Sequence, residues 1–545
     1  MSRQLEPVAH LRDLSPRERG ALVGIMLVGA LLRFMFQAGR SFFGDEVGTL
    51  LYMQRPASYI VSHFDTWLTQ NYYILFEKML AMHLCSDDWC LVAPTLLASI
   101  ASIPAVMSLA LKLSDTRTAF AAAVLTALNP YLIGTSSEIR SYSLLVLFSV
   151  LALDRMLSWM ERPTWRNALA CSLWVFVGAL LNLNMMYTIT FLIGILLFGA
   201  VRRWVRVTDV ARFLLPLMGA GLVLVALYWR MYPELRSIGR RFHAPPPTFE
   251  LYPTHVFMAY MSGTFDGDSR VIELAALMFM AAGIYAALRR GSRLLLLVPG
   301  VILPFVVASL TGLALYPWSF ARYFIAIVPY VLILIAAGAV WMVTGVPSVP
   351  RAVAASVGLL LVATAWCPRI VTVIHQKNEA RPFKRAASVV IHEAAERTRV
   401  VAFRVDNIAL MPYFRSGSGP PHYAGPRVLE LLDVQQASLV KPDDFFFLAT
   451  GVPLRTGAQQ RRIGDISIVR YVSDARGSAI ERFREDLKAT IAGDADPALM
   501  RYYEIFLALS KDGPDPMRQQ VAGKLATAAE LEHSEGWTPA PLRRK

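Results

Sequence analysis

Apolar runs of ~16 to 23 residues recur from Gly20 to Trp366, separated by short polar or basic connections. That is the length an α-helix needs to cross a hydrocarbon core about 30 Å thick. Within such a core every backbone N–H and C=O must be satisfied inside the chain, so repeated runs of this kind demand helices. A soluble bundle would have to turn a polar face to water from each helix, and these runs have none to turn. Only 17% of the 545 residues are charged and the mean hydropathy is +0.44. A soluble domain averages roughly 25% charged residues. The fold class is therefore a polytopic α-helical membrane protein.

Eleven spans are expected. The first five cover Gly20–Gln37, Leu91–Leu111, Thr118–Ile133, Ser141–Leu157 and Ala168–Leu181. The rest are Met185–Val201, Phe213–Trp229, Val271–Leu288, Leu294–Leu313, Tyr323–Val343 and Ala352–Trp366. The first run has a long polar leader and an internal Arg33, which fits a retained helix better than a cleaved signal peptide. The net charge of +14 gathers in short loops: Arg155, Arg162 and Arg166; Arg202, Arg203 and Arg206; Arg289, Arg290 and Arg293. That distribution is the positive-inside pattern, so the charge reports topology and calls for no nucleic acid. It puts the N-terminus in the cytoplasm and places loops 40–90, 134–140, 182–184, 230–270 and 314–322 outside. Eleven spans then leave the C-terminal part extracytoplasmic.

The expected organisation is a transmembrane catalytic domain over residues 1–372, whose first outer loop, 40–90, is aromatic-rich and suited to interfacial helices. Residues 373–475 read as a small extracytoplasmic α/β domain, with an amphipathic helix over Pro382–Arg397 and strands at Arg399–Val405, Asp444–Thr450 and Ile466–Val472. Residues 476–545 read as a helical tail with a disordered end. Cys171 and Cys367 belong to apolar runs. Cys85 and Cys90, in C-S-D-D-W-C, can close a disulfide in an oxidising compartment, whereas a zinc half-site there would lack its second pair.

Three clusters in the outer loops can carry chemistry. Asp45 and Glu46 follow the first span in F-F-G-D-E, where a carboxylate at the water boundary can deprotonate a hydroxyl. Glu138, Arg140 and Tyr142 lie in S-S-E-I-R-S-Y, and Glu138 and Tyr142 would share a face on a helix. Arg322 and Tyr323 open a late span; a guanidinium gives forked, permanently charged recognition of phosphate. Read singly, each has an ordinary structural explanation: a helix cap, a dipole-favoured acid, an interfacial anchor. Together they bring acids and cations to one side of the membrane, as a reaction on an anionic lipid-linked donor requires.

The same residues resemble the C-type integral-membrane glycosyltransferases, in the branch of protein O-mannosyltransferases, aminoarabinose transferases and rhizobial-type galacturonosyltransferases. Members carry an Arg in the first helix and an exit motif ending D-E, matched by L-L-R-F-M-F at Leu31–Phe36 and by Gly44-Asp45-Glu46. Their S-Q-E-A-R-M-Y-A-L motif is matched by S-S-E-I-R-S-Y-S-L at Ser136–Leu144, and a late R-Y pair by Arg322-Tyr323. Phe383-Lys384-Arg385-Ala386-Ala387 is similar to the W-R-A-A helix that opens the family's extracytoplasmic domain.

The resemblance implies transfer of a sugar, with inversion, from a polyprenyl-phosphate donor to a lipid, glycan or protein acceptor outside the cytoplasm of a bacterial inner membrane. Asp45 would be the base, supported by Glu46, with Glu138 as second acid and Arg140 and Arg322 steadying the phosphate. The family's H-P-P-L-Y or K-P-like motif is missing. The nearest stretch is Gln70-Asn71-Tyr72-Tyr73, so Lys78 or His63 would have to substitute at the phosphate. Asn71, Tyr72, Tyr73, Tyr142 and Tyr323 would line the substrate site. No cofactor or metal is required; Asp266 and Asp268 in F-D-G-D-S could bind a divalent cation but read first as a turn. The competing functions are a secondary transporter of a polar or lipid-linked metabolite and a non-catalytic scaffold. Charged residues gather at span ends and no duplicated half is visible, which disfavours the transporter.

Overall fold

A computed structural model describes residues 10–38, 40, 42, 45–64, 70–84, 88–201, 205–234, 257, 260–261, 270–290, 292–311, 321–345 and 366–371, and, further on, residues 383–394, 398–403, 429, 431–433, 442–450, 460–463, 466–475 and 477–493. The chain divides into two compact units. The first comprises Met1–Ala38 and Ala57–Ile374, the second Gly39–Pro56 and His375–Lys545.

The first unit is helical. Its elements begin with α1 (Pro16–Gln37), whose N-cap Ser15 accepts from the Glu18 N–H in a capping box, with Pro16 at the first helical position. In the second unit α2 covers Asp45–Met53; the first unit resumes with α3 (Ala57–Ile60) and α4 (Asn71–His83). There follow α5 (Asp88–Leu113), α6 (Thr116–Leu128), α7 (Pro130–Thr135), α8 (Tyr142–Glu161), α9 (Trp165–Leu181), α10 (Met185–Val201) and α11 (Val207–Tyr228). The last three are α12 (Arg270–Arg290), α13 (Leu297–Thr311) and α14 (Val328–Gly345), the last preceded by a 3-10 turn over Ala321–Ile327.

Among the described residues five helices are long and apolar enough to cross a membrane: Pro16–Gln37, Asp88–Leu113, Tyr142–Glu161, Thr208–Glu234 and Arg322–Thr344. A sixth arises if the segments around α12 and α13 count as one broken span, and shorter apolar helices coincide with α6, α9 and α10. The expected span Ala352–Trp366 falls almost wholly outside the described residues. Helix α11 leaves Leu215, Met218, Leu222, Val223 and Val225 exposed, the surface that acyl chains rather than water would cover.

The expected span Thr118–Ile133 is not continuous: the chain breaks at Asn129 between α6 and α7. Pro130 has no N–H for the carbonyl of Thr126 four residues back, so that carbonyl needs another donor. Arg33 of α1 supplies it. Its Nη2 donates to Thr126 O (3.2 Å), its Nη1 to Ala127 O (3.0 Å) and to Gly29 O (2.9 Å), and its Nε to Ser99 Oγ (2.7 Å). The side chain is fully buried. The motif arginine of the first helix therefore bolts α1 to α5 and to the end of α6. Gly29 permits the close approach, because a Cβ there would collide with Ile103.

Opposite loops seal the two ends of the unit. At one end Lys112 Nζ meets Asp154 Oδ1 (2.7 Å) and Ser158 Oγ (2.8 Å), and Arg293 pairs with Glu161. At the other end Tyr72 Oη donates to Leu227 O (3.1 Å) and Tyr228 Oη to Leu180 O (3.0 Å). Helix ends expected on the same side of the membrane are thus the ones that bond to each other.

The second unit holds a five-stranded sheet in the order β2-β1-β3-β5-β4, with β1 (Arg399–Phe403), β2 (Leu431–Asp433), β3 (Asp444–Thr450), β4 (Gln460–Ile463) and β5 (Ile466–Val472). Strand β1 is parallel to β2 and β3, and β5 is antiparallel to β3 and β4. Alternate residues face opposite sides. Phe446 and Leu448 pack with Ala386 and Val390 of α15 (Phe383–Glu393). Phe445, Phe447 and Tyr471 instead stack around Phe483 of α16 (Ala479–Gly493). Strands β2 and β4 escape the sequence pattern: one has three residues, and Gln460-Arg461-Arg462-Ile463 is an edge strand held by pairing rather than by burial. The remainder of the tail, 494–545, lies outside the described residues.

Candidate active site

Asn129 starts α7 as its N-cap, accepting from Leu132 N (3.0 Å), while its Nδ2 donates to Tyr260 O (3.0 Å). That brings Tyr131 against Tyr260, with ring centroids 5.4 Å apart. The buried Tyr131 hydroxyl lies within electrostatic reach of Arg322, Glu138 and Tyr142. Residues of two motif clusters some 180 positions apart thus lie within electrostatic range of one hydroxyl in the first unit.

The loop from Ser136 to Ser141 is fastened at both ends. Ser136 Oγ donates to Ile133 O (2.7 Å) and Ser143 Oγ to Thr135 O (3.3 Å). Glu138 is half-buried, whereas Arg140 is 3% exposed. Arg140 lies over the Tyr142 ring, 5.7 Å from its centroid, and its Nη2 is 3.4 Å from Tyr142 Oη. The expected helical pairing of Glu138 with Tyr142 does not form, because α8 starts only at Tyr142 and Glu138 sits in the loop. Arg322 and Tyr323 are half-buried in the turn that leads into α14.

In the second unit Glu46 is 3% exposed and Arg40 clamps it with two prongs, Nη1 to Oε1 (3.0 Å) and Nη2 to Oε2. Its carboxylate is committed to that arginine. Asp45 is the first residue of α2, where the helix dipole favours a negative charge.

The substitutes for the missing basic motif are placed as follows. His63 is exposed, stacked on Tyr59 at 4.1 Å and hydrogen-bonded to Ser62 through Nδ1 (2.9 Å). Lys78 is half-buried in α4, and burial holds its ammonium below the usual lysine value. Asn71 is fully buried and its Nδ2 donates to Ile60 O (2.7 Å) and His63 O (2.6 Å), bracing the turn before α4. Cys90 is disulfide-bonded and Cys171 and Cys367 are free thiols; Cys85 lies outside the described residues, as do Asp266 and Asp268. Among the described residues no cluster of three His, Cys, Asp or Glu side chains could hold a metal.

Glu77, which the motifs do not flag, is fully buried in α4 and, among the described residues, has no hydrogen-bond partner of good geometry for either oxygen. Burial pushes its pKa up to about 8, and the neighbouring Tyr73 hydroxyl offsets only part of that. The unfolded carboxyl ionises near 4.5, so between there and about 8 the folded chain keeps a proton that the unfolded chain has lost. Stability therefore falls as pH rises through that window and levels off above it. Glu77→Gln should remove the slope and raise stability at pH 8.5 by on the order of 5 kcal/mol, with little change at pH 4.5. Thermal unfolding of the purified protein at the two pH values reads this directly.

No protein-family model matches the chain, and no characterised protein matches it in sequence. Solved structures do match. ArnT from Cupriavidus metallidurans in the apo state is 12% identical over 83% of this chain and 98% of its own, with a TM-score of 0.50. The same protein bound to undecaprenyl phosphate gives 12% identity, the same coverage and a TM-score of 0.48. The Archaeoglobus fulgidus oligosaccharyltransferase in complex with Zn and sulfate gives 12%, 78% and 68% coverage, and 0.45. At such identities the likeness is one of fold. The chain shares its fold with ArnT, and the C-type integral-membrane glycosyltransferases are the class its motifs resemble.

Proposed function

We propose that this protein moves a sugar from a polyprenyl-phosphate carrier to a hydroxyl acceptor (a lipid, glycan or protein of the envelope) at the outer face of a bacterial inner membrane. The observation that carries the reading is that Glu138 and Arg322 lie within electrostatic range of the same buried Tyr131 hydroxyl, in the unit that also buries Arg140. An acid and permanent cations in one low-dielectric place are what a phosphate leaving group and a hydroxyl nucleophile need. The fold shared with ArnT is compatible with this reading.

In this reaction Asp45 accepts the proton of the acceptor hydroxyl, and the oxygen attacks the anomeric carbon from the face opposite the phosphate. The bond from that carbon to the phosphate oxygen breaks, its electron pair stays on the phosphate, and configuration inverts. Arg140 and Arg322 stabilise the negative charge that develops there, while Glu138 orients the sugar or the acceptor. No step calls for a metal.

The test uses the full chain in proteoliposomes with radiolabelled undecaprenyl-phosphate sugars and an envelope extract as acceptor. Label should move to a product that no longer carries the polyprenyl chain. Counterflow of the labelled lipid with no product formed would contradict the proposal and favour a transporter.

A further inference from the structure

Three buried primary amides each have, among the described residues, an NH2 group with no hydrogen-bond partner: Gln70, which holds Ser141 at the start of α8, and Asn182 and Asn184, which follow Leu181. They are 1%, 0% and 6% exposed. Their orientation is fixed for two of them by backbone donors, which can only face an oxygen. Ser141 N donates to Gln70 Oε1 (2.8 Å), and Asn184 N donates to Asn182 Oδ1 (3.0 Å). The acceptor sides are thus used and the donor sides are not. The Ser141 hydroxyl ties the group together, lying 2.9 Å from Gln70 Oε1 and 3.0 Å from the carbonyl of Leu181, the residue before Asn182.

A buried donor left unpaired costs about 1–3 kcal/mol, and a native chain rarely carries several in one place without an occupant. Neutral amides suit neutral oxygen acceptors better than they suit a phosphate, which the arginines serve. The position agrees, since Gln70 grips Ser141, the residue immediately after Arg140.

We infer that Gln70, Asn182 and Asn184 form a hydrogen-bond-donor set that holds ring oxygens of the sugar carried on the polyprenyl phosphate, and so help decide which sugar is accepted. This rests on the proposed function above. A donor matched to a sugar oxygen rejects an analogue lacking that oxygen, because the donor is then left unpaired.

The test measures the affinity of the full chain in nanodiscs for undecaprenyl phosphate, bare and carrying a hexose, a uronic acid or an aminopentose. The wild type should bind one of the sugar-bearing lipids about tenfold or more tightly than the bare carrier. Gln70→Glu and Asn182→Asp keep the acceptors used by Ser141 and Asn184 but replace the unpaired NH2; Asn184→Ala removes one donor without adding a carboxyl. Each should lose most of the sugar's contribution and bind the bare carrier within twofold of wild type, with the thermal midpoint of Asn184→Ala reporting that the fold persists. Variants that keep the full contribution would show that the amides hold internal water only, and a wild type with no preference for any sugar would equally overturn the inference. Sugar-dependent binding without transfer of label would instead sink the proposed reaction and leave the binding set standing.

Discussion

Asp45→Asn should lower the rate of sugar transfer by about 10²- to 10⁴-fold, the usual worth of a positioned general base, while leaving the thermal midpoint within a degree or two. The substitution keeps size and shape and removes only the ability to take a proton. Asp45 opens α2, and its immediate neighbour Glu46 is held by both prongs of Arg40. That buried pair anchors the helix start whether or not Asp45 is charged, so a fall in rate without a fall in stability would be specific to chemistry. The two readouts are an initial rate with labelled donor and a melting curve on the same preparation. A full rate in Asp45→Asn would place the base elsewhere.

Arg33→Met should be the most damaging single change to the membrane unit, costing about 3–5 kcal/mol. The methionine fills comparable volume but offers no donor. Thr126 O, freed by Pro130, and Ala127 O would then be buried with nothing to accept from, at about 1–3 kcal/mol each, and Ser99 would lose its partner. The positive charge of Arg33 also sits at the C-terminal end of α6, where the helix dipole is negative. The expected readout is a large drop in thermal midpoint or in folded yield from detergent. Arg33→Lys should recover only part of it, since one ammonium cannot reach carbonyls on two sides as the fork does.

The helical architecture was legible because span length and hydropathy act locally and strongly. Among the described residues nine expected spans each overlap a helix, five of the helices being long and apolar enough to cross a membrane, and Thr118–Ile133 is broken at Asn129 because of Pro130. Strands β3 and β5 match their expected bounds because Asp444–Thr450 and Ile466–Val472 are β-rich runs buried in the sheet. Strand β4 was not legible, because its polar residues are strand only through pairing with β5. In the candidate site, Glu138, Arg140 and Arg322 stood out as charges at span ends. Tyr131, Gln70, Asn182, Asn184 and Glu77 did not. Their character comes from burial and from which partners they lack, and neither quantity is written in a residue's type. The short N-L-N at Asn182–Asn184 between two apolar runs was the available signal, and it reads first as an ordinary turn.

The central claim is that Glu138 and Arg322 work in one site on one substrate, and a double-mutant cycle on the transfer rate tests it most directly. Glu138→Gln, Arg322→Met and the double variant are compared for kcat/KM with the same labelled donor. Residues that share a site should couple by about 0.5–3 kcal/mol, so that the double variant is distinctly less impaired than the two single losses combined. Losses that simply multiply, or a Glu138→Gln enzyme as fast as wild type, would contradict the account.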